Sequence, residues 1–317
     1  MSQMFFHYQF LVLPLALILD QFVGDPPNCF HPTAWMGSLI HWLMRFRPRG
    51  NWLHEFIFGI IIIFIGLVVT ISVGWSITFL ASRLQLWVGI FLQAFALKMT
   101  LSLRSLNRAA WEVQSALEAK NLSEARRLLS WHLVSRDTSQ LTESQVSAGA
   151  IESVAENASD GIIAPLFFYT VGGLPAALAY RFVNTADSIL GYRDVEREWL
   201  GKSPARFDDL LNFVPARLTG LFIVLSAPFC RASLLKAWSI MWRDSTMITS
   251  PNAGVPMSAM AGALGVELEK IDHYCLGAGL RLPEVADLIR ARAILVSSIL
   301  LSVFVLALFS FFLVNNL

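Results

Sequence analysis

Charge is scarce in this chain. Asp, Glu, Lys and Arg make up 15% of its 317 residues, where an ordinary soluble domain has roughly 25%. Apolar residues make up 55%, and the mean hydropathy is +0.57. Such a chain is an integral membrane protein with polar loops. It has no basic tail and no Arg/Lys run, and its net charge is +1, which argues against nucleic acid as a partner. Cysteine is nearly absent: Cys29, Cys230 and Cys275 lack metal-site or redox spacing and set no disulfide framework. They read as packing residues. Strand-like alternation does not persist anywhere, which leaves an all-α class. Internal repeats and low-complexity linkers are missing. So are a Walker A pattern, a Rossmann glycine run, an H-E-x-x-H pair and a nucleophile elbow. Phe10 to Leu19 is apolar, but no Lys or Arg precedes it and Asp20 follows directly. It is expected to belong to the mature protein rather than to a signal peptide.

What is present is apolar length. Six stretches stand out, at about 5–24, 56–80, 84–101, 161–183, 210–230 and 293–314. A spanning helix needs roughly 20 mostly apolar residues. The second and last carry no charge; the first and third are shorter. The fourth holds Gly172, Gly173 and Pro175, and the fifth holds Pro215, Arg217 and Pro228. Both are expected to break there. Cations are missing before the first stretch and after the last, and only Arg83 follows the second. The positive-inside rule then places both termini and the Arg83 link outside, with the other loops in the cytoplasm. The 184–209 loop is expected in the cytoplasm, with 161–183 and 210–230 entering the protein without fully crossing. Two ordinary spans remain the competing arrangement. The polar insert 102–160 reads as helical and cytoplasmic: Leu103, Leu106, Ala110, Val113 and Leu117 follow helical spacing. "NLSE" from Asn121 and "DTSQ" from Asp137 resemble helix-starting capping boxes.

Five polar groups interrupt the apolar background. In "IESVAENASDG", Glu152, Glu156 and Asp160 recur every four residues, and no Lys or Arg occurs between Asp137 and Tyr180. Acids at this spacing share a helical face and repel. A metal, a ligand or arginines from another segment would relieve them; a solvated acidic face is the competing reading. Gly161 is expected to end that helix. In "YRFVNTADSILGYRD", Arg181, Asn184 and Asp187 recur every three residues, followed by Arg193. "ARFDDLLNFVPARL" holds Asp208, Asp209, Asn212 and Arg217. Ionisable residues beside apolar stretches are paired for packing or functional. "TSPNAGVP" makes a turn whose amides can cradle an anion ahead of a helix starting near Met257. "DQFVGDPPNCFHP" places Asp25 and His31 on a fixed non-helical path.

Together "GDPP…HP", "SRDT", "ESVAENASDGIIAPLFF", "AYRFVNTADSILGYR", "ARFDDLLNFVPARL" and "SPNAGVP" resemble, in this order, the cobalamin-biosynthesis adenosylcobinamide-phosphate synthase family. The resemblance covers about Asp20 to Gly265. It implies a polytopic membrane helical bundle that joins aminopropanol, free or O-phosphorylated, to adenosylcobyric acid, driven by ATP with Mg²⁺. It implies a cell inner membrane location with the site facing the cytoplasm. Membrane lipid surrounds such a protein, and there is room for a homo-oligomer or an association with later corrinoid-pathway membrane enzymes. Combined with the chemistry of the residues, it assigns Asp208, Asp209 and Asp187 to catalysis. It assigns Glu152, Glu156 and Asp160 to metal. Substrate and nucleotide binding fall to Asp25, His31, Arg136, Asn157, Arg181, Asn184, Arg193, Asn212, Arg217, Ser250, Asn252 and Gly254. All these segments are expected to meet in one cytoplasmic cavity. Two positions and one stretch depart from the family pattern: Ser135 stands for a usual Gly, Val255 for a frequent Trp, and Tyr274 to Asp287 matches poorly. A regulatory or corrinoid-binding relative without catalysis, and a transporter, are the alternatives. The needed acids are all present, and no inverted repeat is visible.

Overall fold

The computed structural model describes residues 9–191 and 198–316. The all-α reading holds, with one exception: among the described residues helices predominate, and the named strands form a single two-stranded sheet. The chain divides into two compact units. One comprises Met1–Leu101, Ala164–Asn212 and Val303–Leu317, and the other Ser102–Ile163 and Phe213–Ser302.

The first unit contains α1 (Val12–Val23), α2 (Pro32–Met44), α3 (Trp52–Arg83) and α4 (Leu86–Lys98). It also holds α8 (Ala164–Leu190) and the beginning of α9 (Glu198–Ser226). Asn51 starts α3 by accepting the amides of Leu53 and His54 through its side chain, which satisfies donors otherwise orphaned at a helix start. The buried face of α3 runs through Gly59, Ile62, Ile63, Gly66, Thr70 and Gly74. α8 packs along it. A Cβ on Gly74 would come within 2.5 Å of Pro175 Cα, so the missing side chain sets how closely the two backbones approach. α8 breaks where expected: Gly172 and Gly173 have non-helical angles, and Gly173 has φ +65°. Pro175 has no N–H to continue the ladder and its ring crowds the preceding turn.

The second unit contains α5 (Leu103–Glu118), α6 (Leu122–His132) and α7 (Glu143–Ala158). It also holds the later part of α9, α10 (Leu234–Asp244), α11 (Gly254–Leu264), β1 (Leu268–Lys270) and β2 (Tyr274–Leu276). α12 (Val285–Asn316) starts here. Leu103, Leu106, Ala110, Val113 and Leu117 are buried, as the helical spacing of α5 requires. Every residue of α11 is buried, and its small residues allow contact: a Cβ on Gly262 would lie 2.5 Å from Lys236 O of α10.

Several sequence expectations are corrected. "NLSE" does cap α6, with Asn121 Oδ1 accepting from Glu124 N at 3.1 Å. "DTSQ" starts no helix. Asp137 instead accepts from Ser139 N at 2.9 Å and closes a turn, and the capping box belongs to Thr142 and Gln145 at the start of α7. Gly161 does not end the acidic helix; a π-helical turn at Ser159–Ile163 carries the chain into α8. The Ser102 amide and hydroxyl both donate to Gly161 O, at 3.1 and 3.2 Å. Pro215 does not break α9; Thr219 Oγ1 donates to its carbonyl at 2.8 Å, and Pro215 is buried. The segment read as a 184–209 loop is helical up to Leu190 and again from Glu198. Strand pairing was not expected, yet Leu268 pairs with Leu276 and Lys270 with Tyr274. Three residues per strand are too few for alternation to show in a sequence.

Among the described residues, four stretches are long and apolar enough to cross a membrane: Trp52–Arg83, Glu143–Leu190, Glu198–Cys230 and Val285–Phe312. A fifth results if Leu86–Lys98 and Leu103–Glu118 count together. α1 has 12 residues, about 18 Å at 1.5 Å each, which falls short of a hydrocarbon core about 30 Å thick.

Candidate functional site

In the first unit, two polar groups form. Gly24 ends α1 with φ +69°, a left-handed conformation that glycine adopts without penalty. The chain then turns through Asp25. Lys98, at the end of α4 and fully buried, donates to Gly24 O and lies 3.3 Å from Asp25 Oδ1. His31 Nε2 is 3.8 Å from the same oxygen. Its Nδ1 accepts from Thr33 N at 3.3 Å and caps α2. With Nδ1 accepting, the neutral ring carries its proton on Nε2, facing Asp25.

The second group centres on Asp208, which is 8% exposed. Asn212 Nδ2 donates to Asp208 Oδ2 at 2.9 Å, and Asn184 Nδ2 to Oδ1 at 3.3 Å. Tyr180 Oη donates to Asn212 Oδ1 at 2.8 Å, and Arg181 to Asn184 Oδ1 at 3.3 Å. The ring of Phe168 stacks on Tyr180 at 5.0 Å. Asp187 is half-buried and feels the charges of both Asp208 and Asp209. The expected residues of 181–187 and 208–212 thus gather around one buried carboxylate, held between two amides that donate to it. Arg193 lies outside the described residues.

The second unit has two further groups. Arg217 NH1 donates to Asn252 Oδ1 at 2.8 Å and NH2 to Pro251 O at 3.2 Å, clamping the "SPNAG" turn. The amides of Asn252 and Ala253, expected to cradle an anion, both donate instead to Ser250 Oγ at 3.3 Å. Gly254 opens α11, three residues earlier than expected, and a Cβ there would lie 2.0 Å from Ser245 O. Its role in the turn is close backbone packing.

The other group surrounds the acidic helix. Arg136 NH2 lies 3.6 Å from Glu152 Oε2. Both line a cavity of about 270 Å³ together with Ser135, Glu156, Lys270 and Tyr274. Glu152 is buried and Glu156 exposed. Burial, then the charges of Glu152 and Glu156, raise the pKa of the Tyr274 hydroxyl, so it stays protonated. Asn157 donates to Ser153 O at 2.9 Å, along its own helix. The three acids do not gather as expected: among the described residues no group of three His, Cys, Asp or Glu side chains fits a metal ion. The π turn breaks the four-residue register before Asp160, and Glu152 already faces Arg136. The cations missing around the acidic helix come from other segments.

Lys98, Lys270, Tyr274 and Tyr180 escaped the sequence reading. Lys98 had a signal, since it is the lone charge between Arg83 and Arg104 and charges inside apolar stretches are expensive. Lys270 and Tyr274 sit on strands too short to read.

Fold and groups together define a multi-pass α-helical membrane protein with buried acid–amide and acid–cation networks at helix ends. The family model described as "CobD/Cbib protein" matches residues 13–301, and the chain belongs to that family. It is 43% identical over 271 residues to the "Cobalamin biosynthesis protein CobD" of Dehalococcoides mccartyi, covering 86% of this chain and 87% of that one. It is 38% identical over 307 residues to the "Cobalamin biosynthesis protein CbiB" of Salmonella paratyphi B, covering 92% and 95%. A "Probable cobalamin biosynthesis protein CobD" of Methanothermobacter thermautotrophicus is 39% identical over 269 residues, covering 84% and 86%. No solved structure matches.

Proposed function

We propose that this protein is an ATP-dependent acid–amine ligase of corrinoid assembly or salvage. It joins aminopropanol or its O-phosphate to the free propionate carboxyl of adenosylcobyric acid, giving adenosylcobinamide or its phosphate. The reaction takes place at the inner membrane, on the cytoplasmic side where ATP is present. The observation that carries this reading is the Asp208 network: a nearly buried carboxylate gripped by Asn184 and Asn212. Those three residues fall in two of the segments that resemble the family.

The chemistry has two steps. An oxygen of the propionate attacks the terminal phosphorus of ATP; that bond forms as the bond to the bridging oxygen breaks, releasing ADP and leaving an acyl phosphate. The amine nitrogen then attacks the acyl carbon, phosphate leaves, and the nitrogen gives up a proton. Asp208, oriented by its two amide donors, accepts that proton, with Asp209 and Asp187 beside it. Arg181 approaches from the same helix face as Asn184 and answers anionic charge. In the other unit, Arg136 and Arg217 are the anion-facing groups, and Arg217 keeps the Ser250–Gly254 turn in place. Mg²⁺ is expected with the nucleotide, but Glu152, Glu156 and Asp160 do not fit as its joint ligands.

The test uses the purified full chain in lipid nanodiscs. ADP release that requires both the corrinoid acid and the amine, with one amide formed per ADP, supports the ligase. Corrinoid binding with no ATP turnover under any substrate combination would overturn it in favour of a carrier or a regulatory protein.

A further inference from the structure

α2 presents two faces of different character. It buries Met36, Ile40 and Leu43, which share one helical stripe. The helix packs against α8 and α3, and a Cβ on Gly37 would touch Ile189 Cδ1 of α8 at 3.4 Å. On the other face Trp35, Trp42 and Phe46 recur at helical spacing, each at least half exposed. Phe46 follows the last turn, where its amide still donates to Leu43 O at 2.9 Å. The rings of Trp42 and Phe46 meet edge to face at 5.2 Å. A soluble surface rarely exposes such a row. Large aromatics gather instead where hydrocarbon meets headgroups. α2 has 13 residues, short of the roughly 20 of a crossing.

The neighbouring chain says what covers the row. Pro48 and Gly50, the latter with φ +87°, turn the link 45–51 into α3. From Phe56 to Ser82 α3 has no charged residue, and Ile57, Ile61, Phe64 and Val68 on it are exposed. That face of α3 meets hydrocarbon. Arg47 NH2 holds Glu55 at 3.0 Å and ties the link to the first turn of α3. The end of α2 therefore sits where α3 enters the apolar layer. Trp52 is there too, 4.9 Å from Trp199 of α9, and Lys202 Nζ stands 4.0 Å over the Trp199 ring. Arg45, Arg49 and Lys202 are exposed, and among the described residues none of the three is held in an ion pair. Against them stand Glu55, already paired, and Glu198. Positive charge is in excess beside an aromatic row.

We propose that α2 lies along the membrane boundary with Trp35, Trp42 and Phe46 in lipid, and that Arg45, Arg49 and Lys202 bind the phosphate of an anionic phospholipid. The lipid's chains lie against the exposed face of α3. Guanidinium groups fork onto phosphate oxygens, and basic clusters at the end of a span draw anionic headgroups. α2 begins at its cap His31, so the lipid that seats this helix also steadies the residue that faces Asp25. The lipid site stands whether or not the protein ligates.

The experiment titrates the purified full chain with lipid and reads bound phospholipid by native mass spectrometry. Phosphatidylglycerol is expected to bind about tenfold or more tightly than phosphatidylcholine with the same chains. Arg45→Gln, Arg49→Gln and Lys202→Gln combined should bring the two lipids within about twofold of each other. Arg45→Lys with Arg49→Lys should keep most of the preference, which separates lost charge from a disturbed fold. Trp35→Ala with Trp42→Ala should weaken both lipids alike. Glycerol 3-phosphate, a headgroup without chains, should not displace the lipid. Raising ammonium acetate from about 50 to about 500 mM should cut the wild-type preference severalfold, a readout that needs no variant. The inference is overturned if phosphatidylglycerol binds no better than phosphatidylcholine, or if the combined Gln variant or high salt leaves the preference intact. Competition by glycerol 3-phosphate on equal terms would make this a site for a soluble phosphate and overturn it. So would a dimer that the Trp variant turns into a monomer, which would give the aromatic row to a second copy of the chain.

Discussion

Asp25 and Lys98, far apart in the chain, meet at 3.3 Å, and the lysine side chain is fully buried. The same ammonium holds Gly24 O, so one cation fixes both the end of α1 and the carboxylate that follows it. Lys98→Met is expected to leave Gly24 O without this donor, at a cost of about 1–3 kcal/mol, and to release the Asp25 side chain toward His31. The readouts are the melting temperature in detergent and the ligation rate. A variant that melts and ligates like wild type would show that this pair holds nothing in place.

Asp208→Asn should remove the proton acceptor while keeping a side chain of the same shape between Asn184 and Asn212. Turnover is expected to fall by about 10²–10⁴-fold, the usual range for losing a general base, with the amine KM little changed. Asp209→Asn should cost less, because Asp209 is outside the two-amide grip. Initial rates at saturating ATP decide between them. If Asp209→Asn is the more damaging, the proton goes there instead.

Gly74 of α3 leaves room for the backbone at Pro175. Gly74→Val should push α3 away from α8 and cost about 1–3 kcal/mol, as overpacking does. Thermal unfolding in detergent measures it. Unchanged stability would mean that the two helices have slack at this point.

How much of this was legible in the sequence depended on the range of the signal. Apolar length located α3 and α12, and the spacing of Leu103, Leu106 and Val113 located α5. The Gly172–Gly173 break followed from local backbone chemistry, and so did the Asn121 cap. The Pro215 break was expected on the same chemistry and did not occur, because buried packing around α9 overrides a local preference. Register over distance was the hardest to read. Glu152, Glu156 and Asp160 share a face only on an uninterrupted α-helix, and the π turn at Ser159 carries no recognisable signature. The grouping of Asn184, Asp208 and Asn212 was expected because polar clusters at the ends of apolar segments can meet by helix packing, whereas Lys270 and Tyr274 reach Glu152 through a hairpin too short to show.

Asp244 ties α10 to the hairpin region. Its carboxylate accepts from Arg243 Nε at 2.6 Å, from Arg243 NH2 at 2.8 Å and from Gly277 N at 2.6 Å. Burial alone would raise its pKa, but these donors outweigh burial and hold it below the usual carboxylate range. A depressed folded pKa adds stability that is fully present above the unfolded value of about 3.9. That stability is lost as pH falls through the folded value. Wild type should therefore lose stability in acid more steeply than Asp244→Asn, while near neutral pH the variant should be the less stable of the two. Melting temperatures from pH 7 to pH 3 test this; parallel curves would remove Asp244 from the acid response.

The connection between α8 and α9 carries the remaining topological question. Arg193, Arg197, Lys202 and Arg206 cluster there, with Arg181 close by, and cations near helix ends oppose export. α8 is interrupted at Gly172–Gly173, so the apolar stretch Glu143–Leu190 is not one unbroken helix across the membrane. Such a break is tolerated where protein surrounds it or a cavity lies beside it. Asn184 and Asp208 flank the connection, and the proposed ligation needs them on the side that holds ATP. The connection is therefore expected to face the cytoplasm. Cys29, Cys230 and Cys275 would be replaced by serine and a single cysteine placed at Glu198, which is exposed at the start of α9. An impermeant thiol reagent applied to intact cells should leave that cysteine unlabelled, and the same reagent applied to inverted membranes should label it. Labelling from outside would put the connection on the outer face, make α8 and α9 two full crossings, and remove Asp208 from the chemistry assigned to it.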